Sequence, residues 1–306
     1  MRQSVLITGG SGLLATNWAC AIRNDWNVFL AIHKHKVELN ETRTCILDLA
    51  NRKLLADQID KISPDLLVHT AGMTNVDECE NAPDLAVEIN SKISRNMAKI
   101  TASKKIPFIH ISTDHLFTGN NSFYKEDDPT DPINNYGYTK ALAEEWIQHE
   151  NTKALIIRTN FFGWGNKNRQ SFSDWLISNL RSGKKVGVFK DVFFTPIIAD
   201  KVAINAHELV SKGAHGIYNI VGEERISKYD FAIKICNEFE LPIKLVCQLE
   251  VEQANLGALR PKDMSLDNTK SQVILRRNIG TINDFVQDLR KQEISGRRAE
   301  LYDAIY

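Results

Sequence analysis

A phenol and an ammonium held at the right spacing can do proton chemistry at a carbonyl. Of the seven tyrosines in the chain, Tyr136 alone has a lysine four residues downstream, in Tyr136-Gly-Tyr-Thr-Lys140. Positions four apart on a helix share a face, so the two groups address one small volume. Tyr138, two residues from Lys140, points elsewhere. A nearby ammonium stabilises phenolate, which predicts a Tyr136 pKa drawn down from about 10 toward the working pH. Such a group gives or takes a proton at a carbonyl oxygen. A second donor lies upstream in Ile109-His-Ile-Ser-Thr-Asp-His115, where a hydroxyl at the end of a strand can reach a substrate carbonyl. Thr113 is the better placed and Ser112 the alternate. Taken singly, each segment also fits a plainer role, a surface tyrosine at a helix start or a turn-forming Ser-Thr-Asp cluster.

Phosphate chemistry is indicated at the start of the chain. Gly9-Gly-Ser-Gly12-Leu13-Leu14-Ala15 follows an apolar run and opens a helical pattern. A turn without bulk lets backbone approach a diphosphate, and the helix N-terminus supplies N–H groups and partial positive charge. The spacing is Gly-x-x-Gly-x-x-Ala. Asp48-Leu49, after a short apolar run, is expected at the adenine edge. Thr70-Ala71-Gly72, with Thr74 just beyond, ends a strand in small residues and leaves room for a cofactor. The end of the second strand carries His33-Lys34-His35-Lys36 and no acid. Acids there favour the free ribose hydroxyls of NAD, whereas basic residues favour the 2′-phosphate of NADP. Lys34 and His35 therefore point to NADP(H) as the preferred cofactor, with NAD(H) the alternative. His33 and His35 lack a third ligand, and no metal site is expected.

These groups need a frame to hold them. Strands are predicted at Ser4–Thr8, Val28–Ile32, Leu66–Thr70, Pro107–Ile111 and Ala154–Arg158, with helices between them near 12–24, 53–61, 85–103 and 136–150. Strands apolar throughout are buried on both faces, as a parallel sheet under helices requires. The alternation predicts an α/β, Rossmann-type, doubly wound parallel sheet. Residues 1–163 are read as an NAD(P)-binding Rossmann domain. Residues 164–306 are read as a smaller mixed α/β substrate lobe, with part of 192–225 returning to the core. Helices are expected there at 169–183, 200–211, 227–239 and 281–291, and a strand at Gly216–Ile220.

Composition narrows the function classes. Lys plus Arg and Asp plus Glu both total 38, which argues against a general nucleic-acid binder. No apolar run approaches the ~18 residues that span a bilayer, and the chain enters a strand within a few residues of its start. The expectation is a cytoplasmic protein with no membrane partner. Five scattered cysteines, without a Cys-x-x-Cys pair, read as reduced, buried thiols.

Taken in order, the motifs resemble the extended short-chain dehydrogenase/reductases, and within them the dTDP-4-dehydrorhamnose reductase family. The matching segments are Leu6-Ile-Thr-Gly-Gly-Ser-Gly-Leu-Leu-Ala15, Thr70-Ala-Gly-Met-Thr-Asn-Val-Asp77, Ser112-Thr-Asp-His-Leu-Phe-Thr-Gly119, Pro132-Ile-Asn-Asn-Tyr-Gly-Tyr-Thr-Lys140, Arg158-Thr159 and Arg260-Pro261. The resemblance implies a Thr113–Tyr136–Lys140 triad. In it Thr113 orients a sugar carbonyl, Tyr136 protonates the oxyanion, and Lys140 holds the nicotinamide ribose. It further implies that Met73, Asp114, His115 and Phe161 face the sugar or base and that Arg260 reaches the diphosphate. His115 stands where the family usually has tyrosine, Met73 where an aromatic is common, and Phe161 where tryptophan is frequent. These departures bear on the substrate, not on the cofactor chemistry. The implied activity is NADPH-dependent reduction of a nucleotide-activated 4-keto-6-deoxy sugar, with a homodimer as the expected assembly. The alternatives are a sugar-nucleotide epimerase and a non-catalytic subunit resembling the β subunit of methionine adenosyltransferase.

Overall fold

Strict alternation of side chains sends Val5 and Ile7 of the first strand into one apolar layer and Leu6 into the other. That is the signature of a sheet covered on both faces. A computed structural model describes residues 2–33 and 35–305 of the chain. Its central sheet has seven strands: β1 (Ser4–Thr8), β2 (Asn27–Ile32), β3 (Thr42–Ile46), β4 (Leu66–His69), β5 (Phe108–Ile111), β6 (Leu155–Arg158) and β7 (Gly216–Asn219). They run in the order β7-β6-β5-β4-β1-β2-β3, and every pairing is parallel. The chain builds outward from β1 to β3, then crosses to β4 on the other side. The carboxyl edge between β1 and β4 is thus the switch point at which doubly wound sheets bind ligands.

Six of these strands were anticipated within two residues. β3 was not. It is an edge strand with a polar, largely exposed sequence, Thr-Arg-Thr-Cys-Ile, and edge strands need no apolar run. Helices Leu13–Ile22 and Ala199–Ser211 pack on one face, while Arg52–Ile62, Ile93–Lys104 and Asn135–Glu150 lie on the other. The expected helix over 85–103 has an internal π segment, Val87–Lys92.

Several segments of the distal half join the central core. β7 and helix Ala199–Ser211 do return to the core. So does the end of the chain: Glu38 N–H donates to the Ala304 carbonyl at 2.8 Å, and Arg23 pairs with Glu300. The remainder adds short strand pairs, including parallel Val186–Phe189 with Val246–Leu249, and helices Phe172–Arg181, Lys228–Glu238 and Ile282–Ile294. The helix expected from Arg169 starts only at Phe172, because the Ser171 side chain caps it by accepting from Asp174 N–H. Cys20, Cys79 and Cys236 are buried as expected, whereas Cys247 is exposed on its short strand. Among the described residues no helix is long and apolar enough to cross a membrane.

Candidate active site

The β1 turn brings backbone to the switch point. Gly9 has φ +68°, and a Cβ there would stand 2.9 Å from the Ala71 backbone. Only glycine fits both demands. Helix Leu13–Ile22 then begins at Gly12 with no side-chain cap and no acid in its first turn. Its first N–H groups thus meet the cleft with no side chain competing for them, and a diphosphate is the chemistry they suit. Gly9, Gly12, Leu13 and Leu14 line a cleft of about 500 Å³, faced by Thr70, Ala71, Gly72 and Thr74. The residues fit a dinucleotide cofactor. A larger recess, about 930 Å³, lies at the amino edge of β5–β7. It holds none of the chemistry-bearing motifs, and ligands of such sheets bind at the carboxyl edge.

Asp48, Leu49 and His35, also expected to contact the cofactor, are not in the lining of this cleft. The Asp48 carboxylate accepts from Ala50 and Asn51 N–H, both at 3.1 Å, closing its own turn. Leu49 packs on the apolar layer beneath. Neither lines the cleft. His35 is exposed at the end of β2, with its Nδ1 3.3 Å from Asn168 Nδ2. Lys34 lies outside the described residues.

The triad comes together. Helix Asn135–Glu150 starts where the Asn134 side chain accepts from Gly137 N–H at 2.8 Å. It is pinned to β6 by a buried Arg158–Glu144 pair at 2.7 Å. Gly137 lets the helix touch the loop after β5, since a Cβ would fall 2.1 Å from the His115 carbonyl oxygen. This close approach sets Tyr136 against Thr113 in one cleft, where the Thr113 hydroxyl favours the phenolate form. Thr113 also donates to Asp114 Oδ1 at 3.3 Å. Ser112 lines the same cleft with its hydroxyl unpartnered.

Electrostatics correct one expectation. Tyr136 is pushed up to about 12, by burial above all, with the Thr113 hydrogen bond opposing. Lys140 does not draw it down because the ammonium is engaged below the cleft. Its Nζ donates to the Ile111 carbonyl at 2.6 Å and meets His110 Nε2 at 3.1 Å. Burial brings Lys140 itself down to about 8. It also holds His69 and His110 neutral, far below the usual histidine range, with Lys140 adding to the effect. At neutral pH the site therefore presents a neutral phenol over a charged lysine.

On the substrate side, Asp114, His115 and Phe161 line the cleft. The His115 ring meets Tyr136 edge-on at 5.5 Å. Met73 is half-buried, its backbone clamped by Asn90, which accepts from Met73 N–H at 2.7 Å and donates to its carbonyl at 3.0 Å. Arg260 is turned away from its expected role: it donates to Asp77 at 2.9 Å and to the Ala258 carbonyl at 2.8 Å.

Sequence reading missed three residues here. Asn90 sits in the π segment, and such segments concentrate at functional sites. It also receives no sequence signal beyond a polar residue within an amphipathic helix. Arg169 lines the cleft and donates to Thr74. Lys228, from the distal half of the chain, lies beside Asp114 and His115.

The family model described as RmlD substrate binding domain matches residues 1–292. The chain belongs to this family. It is 29% identical over 266 residues to the probable low-salt glycan biosynthesis reductase Agl14 of Haloferax volcanii, covering 85% of this chain and 88% of that one. It is 27% identical over 282 residues to the methionine adenosyltransferase 2 subunit beta of Pongo abelii, covering 89% and 83%. Among solved structures, dTDP-4-dehydrorhamnose reductase from Bacillus anthracis in complex with NADP superposes with a TM-score of 0.86 at 23% identity, covering 95% of this chain and all of that one. This likeness establishes that the RmlD-type chain has the reductase fold.

Proposed function

We propose that this RmlD-family protein is an NADPH-dependent oxidoreductase that reduces the keto group of a nucleotide-activated 4-keto-6-deoxy sugar. The observation that carries the reading is the joining of Thr113 and Tyr136 hydroxyls in the cleft that the glycine turn floors. A bound nicotinamide cofactor supplies the hydride. Thr113 donates to the carbonyl oxygen and orients it, and Tyr136 passes its proton to that oxygen as charge develops. Two donors fixed in advance stabilise an oxyanion far better than water, which must reorganise. Lys140 stands below Tyr136 as a cation suited to a ribose hydroxyl. The basic segment after β2, exposed at His33, His35 and Lys36 and without an acid, supports the 2′-phosphorylated cofactor. The reductase name of the Haloferax relative supports a reductase, and that of the superposed Bacillus anthracis enzyme supports a dTDP-sugar substrate.

The test is NADPH oxidation by the purified protein on addition of dTDP-4-keto-6-deoxyglucose, with product formed in equal amount. Isomerised product without net NADPH loss identifies an epimerase. The β-subunit relative supports a second reading, a non-catalytic subunit. Absence of turnover across keto sugars, together with a stoichiometric protein partner, would establish it.

A further inference from the structure

Lys228 is placed where a lysine destabilises the fold. It is the first residue of helix Lys228–Glu238, at the positive end of the helix dipole. Its ammonium lies 3.4 Å from the Phe194 ring centroid and 5.3 Å from that of Phe172, which lines the cleft. Those rings offer cation–π attraction but no lone pair. Among the described residues no hydrogen-bond acceptor or ion-pair partner meets its Nζ, and burial brings it down to about 8, with Asp114 the facing carboxylate. Beside it, His115 Nδ1 is buried and also lacks a partner. The Asp114 oxygens are already taken by Thr113 and Asn160. The buried His115 Nδ1, in the lining of the cleft, and the partly buried Lys228 ammonium, beside cleft-lining Phe172, thus both lack hydrogen-bond partners among the described residues. A buried polar atom left in this state is costly, and a ligand that pairs with it removes the cost.

We infer that Lys228 and His115 form a subsite for a ring hydroxyl of the sugar, next to the carbon that Thr113 and Tyr136 address. A hydroxyl matches the pair because it accepts from the ammonium and still has a proton to share with imidazole. An anionic substituent fits less well, since Asp114 already balances the lysine charge and His115 is neutral. Lys228 is then a specificity-determining residue whose loss hurts substrates that carry the hydroxyl and spares those that lack it.

This inference rests on the sugar-nucleotide reading, and a binding experiment separates the two. Full-length wild type and Lys228→Met, both loaded with NADP, are titrated calorimetrically with dTDP-glucose and its 2-deoxy and 3-deoxy counterparts. The wild type is expected to bind dTDP-glucose roughly ten- to hundredfold more tightly than one deoxy ligand. Lys228→Met should erase that ratio by weakening dTDP-glucose alone, with NADP affinity unchanged. Its melting temperature should change little, because methionine suits the phenylalanine surroundings and only the cation–π contacts with Phe194 and Phe172 are lost. An equal loss on all three ligands, no loss on any, or no binding to wild type overturns the subsite. The expected binding pattern without turnover of any keto sugar keeps the subsite and refutes the reductase.

Discussion

Gly137→Ala tests whether the triad depends on one close approach. The added Cβ would lie 2.1 Å from the His115 carbonyl oxygen and 2.8 Å from Pro132 Cβ. Ordinary C···O contact begins near about 3.3 Å, so helix and loop must part by roughly 1.2 Å. That displacement falls between Tyr136, on the helix, and Thr113, at the base of the loop. Misplacement on the order of 1 Å costs about 10²-fold in rate. Overpacking costs about 1–3 kcal/mol, and alanine recovers up to about 1 kcal/mol over glycine in a helix. The net loss of stability is about 0–3 kcal/mol, against about 2.7 kcal/mol for a hundredfold loss of turnover. The expected variant is folded, binds NADPH through the intact glycine turn, and reduces the keto sugar at least about a hundredfold more slowly. The assay pairs kcat/KM from NADPH fluorescence with a thermal melt. Near wild-type turnover at unchanged stability would refute the view that this contact sets the triad.

Tyr136→Phe removes the proton donor and keeps the ring against His115, so kcat should fall by about 10²-fold or more with cofactor Kd preserved; wild-type turnover would rule out Tyr136 as the donor. NADPH affinity should weaken as pH rises through about 8, where Lys140 loses its charge, and Lys140→Met should bind weakly with a flat profile. The stability effect of Lys140 has the opposite sense. Between about 8 and 10.5 the unfolded chain keeps a proton that the folded lysine has released, so its contribution to stability rises with pH, and urea melts of wild type against Lys140→Met should converge over that range. Glu144→Ala strands the buried Arg158 guanidinium and should cost about 3–5 kcal/mol by urea denaturation; a loss below about 1 kcal/mol would place that pair among the weak surface bridges. His115→Tyr should change relative kcat/KM among keto sugars while leaving NADPH Kd in place, and a uniform loss with lowered melting temperature would make His115 structural.

What the sequence made legible is local. The β1 turn, the Tyr136–Lys140 spacing and Thr113 at a strand end each rest on a few neighbouring residues whose geometry follows from one element. The failures are tertiary. β3 has no apolar run because its exposure is decided by being last in the sheet. Arg260 finds Asp77, 183 positions away, a choice not written in the adjacent residues; Asp48 is the local exception, closing a turn with Ala50 and Asn51. Asn90 and Lys228 carry no motif, and only the fold brings them to Met73 and Asp114. The glycine turn and the Thr113–Tyr136–Lys140 grouping in the cleft were therefore legible in the sequence, whereas Asn90, Arg169 and Lys228 needed the structure.

The Tyr136 pKa shows why the distinction matters for chemistry. Spacing alone places an ammonium near a phenol and predicts a lowered value, the form that accepts a proton and favours oxidation of an alcohol. Three features absent from that spacing reverse the sign. The end of β5 offers Lys140 a carbonyl at 2.6 Å, His110 takes a second contact, and burial makes phenolate costly. The result is a phenol that stays protonated at neutral pH, with Thr113 in the same cleft. A protonated donor poised before charge develops is what carbonyl reduction requires. The same burial that defeats the sequence expectation supports the reductive direction.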